Sequence, residues 1–289
     1  MSSDKGMAVD DLRRREERIR RALLCMAFSS ILVLALIILF VFREGVPQIL
    51  RVGIVEFLGG GRWAPTKGLF GIFPMILGTI QVTLGALVIG VPLSLLSAIC
   101  LSEFAGPRTR TIMKPLIELL SAIPSVVFGF IGVTVIVPLV RETLGGSGFS
   151  VLSAALMLSV MILPTITSIA YDALRAVPAA YREGALALGA TPWQTVSRVV
   201  VPAARSGLVT AVILGMGRAM GETMAVIMVA GNAVVVPTSP LQPCRTLTSN
   251  IALEMAYASG DHQKALFATG VVLFIMIFCL NSLATLIVR

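Results

Sequence analysis

Charged side chains make up only 13% of this 289-residue chain, about half their share in a soluble domain. That shortage excludes an ordinary water-facing surface. With 56% hydrophobic residues and a mean hydropathy of +0.94, the chain reads as a polytopic membrane protein. Histidine occurs once, at His262, and cysteine four times with no metal-ligand spacing. A zinc centre or a histidine-dependent active site is therefore not expected, nor is any cofactor. His262 reads as a solvated loop residue near Asp261. Cys25, Cys100 and Cys279 fall within or at the ends of apolar runs, and Cys244 is alone in an outer loop, so no disulfide framework exists. No Gly-x-x-x-x-Gly-Lys-Ser/Thr loop is present to cradle nucleotide phosphates, so any ATP-driven step needs an ATPase on another subunit. A fixed-period repeat is also missing. The first apolar run, Ala22 to Phe42, is too long for a cleavable signal and no small-residue cleavage site follows it.

What is present is an all-α pattern of six transmembrane helices, at about 22–42, 72–101, 116–140, 150–174, 207–230 and 265–288. Three regions follow: a basic cytoplasmic arm over 1–21, a first span with its outer segment over 22–71, and a core over 72–289 holding a cytoplasmic connector at 175–206. The excess of +8 charges follows topology rather than nucleic acid. Lys5, Arg13, Arg14, Arg15, Arg18, Arg20 and Arg21 precede the first span. Arg108, Arg110 and Lys114, then Arg175, Arg182, Arg198 and Arg205, and finally Arg289 share that side. The bias places both termini in the cytoplasm.

Trp63, after the Gly59-Gly60-Gly61 break, suits the membrane interface. A longer outer loop carries Pro237, Pro240 and Pro243, then an amphipathic helix over about 247–257. Such loops dock a partner or merely close the top of the bundle. Within the spans, Pro124 lies beside Ser121 and Ser125, and Pro164 beside Thr165, Thr167 and Ser168. Hydroxyls next to proline kinks fit a polar pathway and ordinary helix packing equally.

Arg218 and Glu222 stand in the otherwise uncharged stretch from Gly207 to Gly231. A helix entering the bilayer at Gly207 puts Arg218 about 16 Å deep, near the midplane. Charge there costs at least about 2.5–3.5 kcal/mol per group, so it needs a partner or a polar cavity. In a continuous helix the four-residue spacing sets both groups on one face, within reach of each other. Ala211, Gly215 and Ala225 share that face and leave room around the charges. Met216, Met220, Met224 and Met228 form a neighbouring stripe that packing explains. Gly217 and Gly221 form a GxxxG, a spacing that permits close helix contact but is frequent by chance. Two readings of the pair stand: a substrate path, or a fixed bridge between helices.

The connector is too polar to span and too patterned for a limp loop. Pro178 opens a helix through Leu188, and Gly189 occupies the position after its end. Thr191 caps a second short helix with Pro192 at its first position, running to Val200, and Pro202 punctuates its end. Glu183-Gly184-Ala185, three residues, Gly189, nine residues and Val199-Val200-Val201-Pro202 resemble the EAA signature of ABC importer permeases. The spacing and the Glu, Gly and Pro are intact; Gly184 stands for alanine, and Val199 and Val201 for Ile and Leu. Blocks such as Leu101-Ser102-Glu103, Pro115 to Leu120 with Ile123 to Val127, Gly217 to Ala225 and Thr248-x-Asn250-Ile251-Ala252 are similar to phosphate importer permeases of the PstC type. They cover nearly everything after the first span.

This resemblance implies a type I ABC importer permease fold in the bacterial inner membrane, with no catalytic residue of its own. It implies a sister permease of the PstA type, two ATPase subunits of the PstB type and a periplasmic phosphate-binding protein of the PstS type. Glu183, Gly184, Ala185, Gly189 and Pro202 would then meet the ATPase, and Arg218 and Glu222 would line the phosphate path. Sulfate or molybdate permeases share the expected architecture. A membrane-embedded enzyme lacks completing residues near Arg218, and a passive anion channel has no need of the Glu183–Pro202 connector.

Overall fold

The computed structural model describes residues 3–288, with side chains from 16 to 286. The side chains of Lys5, Arg13, Arg14 and Arg15, and Arg289 itself, lie outside the described residues. Helix α1 runs unbroken over Ser3–Val52, far beyond the expected 22–42, because no Gly or Pro interrupts residues 7–44. It lies on the outside of the bundle. After Gly53 come α2 (Ile54–Gly59) and a hairpin of β1 (Trp63–Ala64) and β2 (Leu69–Phe70), paired antiparallel around the turn at Pro65–Lys67.

The second span is α3 (Phe73–Ile99), which ends in a π turn, Cys100–Phe104. Next comes α4 (Pro107–Ser121), separated from α5 (Ser125–Ile131) by Pro124. Another π turn, Gly132–Ile136, leads into α6 (Val137–Leu144). The third span is therefore 125–144, not 116–140. Leu116, Ile117, Leu119 and Leu120 are apolar but, with Glu118 among them, belong to an amphipathic helix with no buried residue. Pro124 removes a donor and forces Ile123 out of the helical region, which ends that helix.

Helix α7 (Val151–Arg175) is the most buried span and packs against α3 and α11. The connector holds α8 (Ala179–Ala187), α9 (Pro192–Thr195), a third π turn (Val196–Val200) and α10 (Val201–Ala203). Then come α11 (Arg205–Gly221) and α12 (Met224–Val229). The following loop carries α13 (Leu247–Glu254), and α14 (Asp261–Val288) runs back along α1. Among the described residues five helices are long and apolar enough to span, and the pair 192–203 and 205–221, bent by 70°, passes the same test only when taken together. Pro202 does not end the helical backbone; the bend falls at Ala204. Pro138 and Pro202 each follow a π turn by two residues.

Gly215 is pressed against Ile166 so closely that a Cβ would collide with it. Ala211 is fully buried on the same face. These small residues bring α11 against α7 rather than leaving room around a charge, a correction to the sequence reading. A second apolar cluster around Phe57, Ile72, Met75, Leu247 and Ala265 seals the outer end. Helix α1 joins it through α14, where Phe40 meets Phe267 and Phe42 meets Phe274 edge to face.

Candidate functional site

The stretch expected as the fifth span, 207–230, breaks into two helices. Helix α11 ends at Gly221, Glu222 is extended (φ −69°, ψ 132°), and α12 restarts at Met224. Arg218 and Glu222 therefore do not share a continuous helix face, and neither bonds the other. No proline marks the break, which is why a helix read from apolar run length passes through it. A Cβ at Gly217 or Gly221 would meet nothing within 4 Å, so this GxxxG makes no close helix contact. The glycines weaken the helix just before the charge-bearing break. The methionine stripe is divided as well: Met220 is buried on α11, whereas Met224 is half exposed at the start of α12.

Arg218 finds its partners on other spans. Its Nη1 donates to Thr165 Oγ1 at 2.7 Å, and its Nη2 to the Ser121 carbonyl at 3.3 Å. Thr165 follows Pro164 in α7, and Ser121 is the last residue of α4 before the Pro124 break. One hydroxyl beside Pro164 and one carbonyl before Pro124 are thus held at the guanidinium. A helix C-terminus supplies carbonyls without intrahelical donors and the negative end of the dipole, which suits a cation. Both acceptors are neutral. Arg218 is held in place without being neutralised, and guanidinium donors remain suited to a bidentate oxyanion.

Glu222 faces the other way along the span. Its Oε1 accepts from the Ala225 N–H at 3.1 Å, so the carboxylate caps the first turn of α12. Its carbonyl accepts from the Thr248 hydroxyl of α13 at 2.9 Å. The outer loop therefore reaches down to the break. Thr248 sits among buried hydroxyls: Thr246, which caps α13, lies 3.0 Å from it, and Thr79 of α3 accepts from the Leu247 N–H at 3.0 Å.

Above this point, Glu254 organises the outer face. It accepts from Arg245 Nη1 at 2.7 Å and from Trp63 Nε1 at 2.8 Å, and His262 Nε2 lies 2.8 Å away. His262 is not a solvated loop residue: it lies in the first turn of α14 with 17% of its side chain exposed. Sequence proximity to Asp261 misled here, because its partner comes from the preceding helix α13. Cys244 is fully buried, and burial pushes its thiol up to about 12.

The connector folds as an elbow. Pro178 stands just before α8, and Gly189 takes φ +83° after it. Thr191 and Gln194 form a reciprocal capping box at α9, with bonds of 3.3 and 2.9 Å. Glu183 and Gly184 are exposed, Leu188 is 91% exposed, and a Cβ at Gly184 would meet open space. Packing does not require Gly184 in place of alanine, and within α8 the glycine costs about 0.5–1 kcal/mol of helix propensity. Arg182 and Glu103 pair here, and sequence reasoning missed that pair because the two lie far apart in the chain. Lys114 Nζ of α4 donates to Asp172 of α7 at 2.6 Å, which raises its pKa above the ordinary lysine value.

A family model described as "Binding-protein-dependent transport system inner membrane component" matches residues 90–289. The chain is 40% identical over 287 residues to the probable ABC transporter permease protein YqgH of Bacillus subtilis, covering 96% of this chain and 93% of the relative. It is 35% identical over 253 residues to the phosphate transport system permease protein PstC of Pasteurella multocida, covering 81% and 79%. Among solved structures it resembles a chain of a bacterial alginate ABC transporter, with a TM-score of 0.59 and 17% identity over 94% of this chain and 96% of that one.

Proposed function

We propose phosphate as the cargo of this chain, which belongs to the family of binding-protein-dependent transport system inner membrane components. The chain is an ABC importer permease with the type I importer permease fold, a multi-pass protein of the inner membrane. The observation that carries the cargo proposal is Arg218, held at a mid-span break by two neutral acceptors. A guanidinium so placed exchanges Thr165 and the Ser121 carbonyl for two oxygens of an arriving phosphate. The named PstC relatives support phosphate over sulfate or molybdate.

Glu222 has a second role in this proposal. Its carboxylate, fixed at the start of α12 four residues after the arginine, opposes long retention of an anion, and a site that conducts must release what it binds. Thr248 links that carboxylate's backbone to the outer loop, so opening of the outer face reaches the binding point. On the cytoplasmic side, Glu183, Gly184, Ala185, Gly189 and Pro202 form the part of the elbow that meets an ATPase. The working assembly is this chain with a sister permease of the PstA type, two ATPase subunits of the PstB type and a periplasmic binding protein of the PstS type. Both termini lie in the cytoplasm.

Radiolabelled phosphate uptake in cells lacking this chain tests the assignment, with sulfate as competitor. Restoring the chain should restore uptake that unlabelled sulfate does not suppress, and suppression by sulfate would move the assignment to that anion. Arg218→Gln should reduce uptake to background while the subunits still assemble. Uptake near the parental rate in that variant would end the pathway role of Arg218.

A further inference from the structure

The elbow is gripped by a span to which it is not joined in sequence. Arg182 of α8 donates from Nε and Nη2 to the two oxygens of Glu103, at 3.0 and 2.8 Å. The same guanidinium donates to the carbonyls of Val177 at 2.7 Å and Leu174 at 2.8 Å, so it also closes the end of α7. Glu103 is nine-tenths buried. The next residue, Phe104, stacks on Trp193 of α9, with ring centroids 6.4 Å apart and planes 26° from parallel. Each helix of the elbow is thus held by one of two successive residues in the π turn that ends α3. From the other side, Arg110 of α4 donates to the Leu101 carbonyl of this same turn at 3.1 Å. Trp193 thus ties α9 to the end of α3.

Covalent continuity would let the elbow drive only α7 and α11. These contacts add α3, which packs along α7 and reaches the outer end, where Thr79 bonds the α13 backbone. A bidentate Arg–carboxylate pair fixes orientation as well as distance, so rotation of α8 moves Glu103 with it. We propose that the Arg182–Glu103 pair and the Trp193–Phe104 stack are positioning contacts that transmit elbow movement to α3. This rests on the reading of the elbow as the ATPase-facing element.

The test uses the complex of this chain with its sister permease and ATPase subunits in proteoliposomes, supplied with binding protein and radiolabelled phosphate. The quantity read is phosphate taken up per ATP hydrolysed. Glu103→Ala and Arg182→Ala should each lower it about tenfold, a usual size for coupling between sites, while the ATPase subunits still co-purify. The double variant should be no worse than the poorer single one, because both remove the same contact. Trp193→Phe should retain coupling and Trp193→Ala should lose it, an arm that does not depend on the ion pair. Parental ratios in the single variants, additive losses in the double, or loss of the ATPase from the complex would each overturn the proposal. Glu183→Lys, run alongside, reads the elbow assignment itself: ATPase retention with full coupling in that variant alone would end the assignment without touching the clasp contacts.

Discussion

The elbow and the broken span are both interruptions of a helical chain, yet they are held in opposite ways. At the elbow, the stops and starts are bonded within a few residues: Gly189 after α8, and Thr191 with Gln194 around Pro192. At the break, the bonds come from remote parts of the chain. Thr165 is 53 positions from Arg218, the Ser121 carbonyl 97, and Thr248 is 26 from Glu222. Water can satisfy loose backbone groups at exposed turns, so local caps suffice there. In the bilayer interior an interrupted helix and its charges must recruit neighbouring spans. The turns of the elbow are therefore capped locally, with Arg182 and Trp193 tying its helices to the end of α3, and the break is a junction of the whole bundle.

If the contrast holds, damage to the locally capped turns of the elbow should be confined to docking. After Arg218→Gln, the largest effect is expected from Gly189→Asp. An L side chain at φ +83° costs about 1–2 kcal/mol and displaces the turn between α8 and α9. ATPase co-purification should be lost and uptake fall to background, while the membrane part keeps its thermal unfolding temperature. An intact, transport-competent complex would show that the elbow geometry is dispensable.

A smaller effect is expected at the break, and it should follow the atom rather than the residue. Thr165→Val removes the acceptor of Arg218 Nη1 and leaves a guanidinium donor unpaired, which costs about 1–3 kcal/mol. Uptake should fall several-fold and the unfolding temperature should drop. Ser121→Ala should do neither, because Ser121 offers Arg218 its backbone carbonyl while its hydroxyl donates to Glu118. Equal losses in the two variants would dissolve the junction described above.

The same division explains what could be read before any coordinates. Spans, basic flanks and elbow caps were legible because hydropathy, charge bias and capping chemistry are local. The end of α4 at Pro124 carried a local signal too, but apolar Leu116, Ile117, Leu119 and Leu120 around Glu118 outweighed it. The break at Glu222 had none of the usual punctuation. What announced it was the misfit itself: two charges and two glycines in an apolar run. The hydroxyls beside Pro124 and Pro164 were visible, yet only packing brings Thr165 and the Ser121 carbonyl to one guanidinium. His262, and the Arg182–Glu103 pair, were hidden for the same reason, since their partners follow from tertiary contacts.

The finest test separates charge from scaffold at the break. Glu222→Gln keeps an amide oxygen able to accept from Ala225, so α12 should lose only about 0.3–1 kcal/mol of favourable end charge. Folding and assembly should be close to parental. What disappears is the negative charge near Arg218. If that charge shortens the residence of a bound anion, the variant should hold phosphate longer, and maximal uptake rate and KM should fall together by a few-fold. A fixed brace between α11 and α12 would instead lower stability and leave KM unchanged. The joint shift would assign Glu222 to release of the cargo; an unchanged KM would leave the carboxylate as the cap of a half-helix.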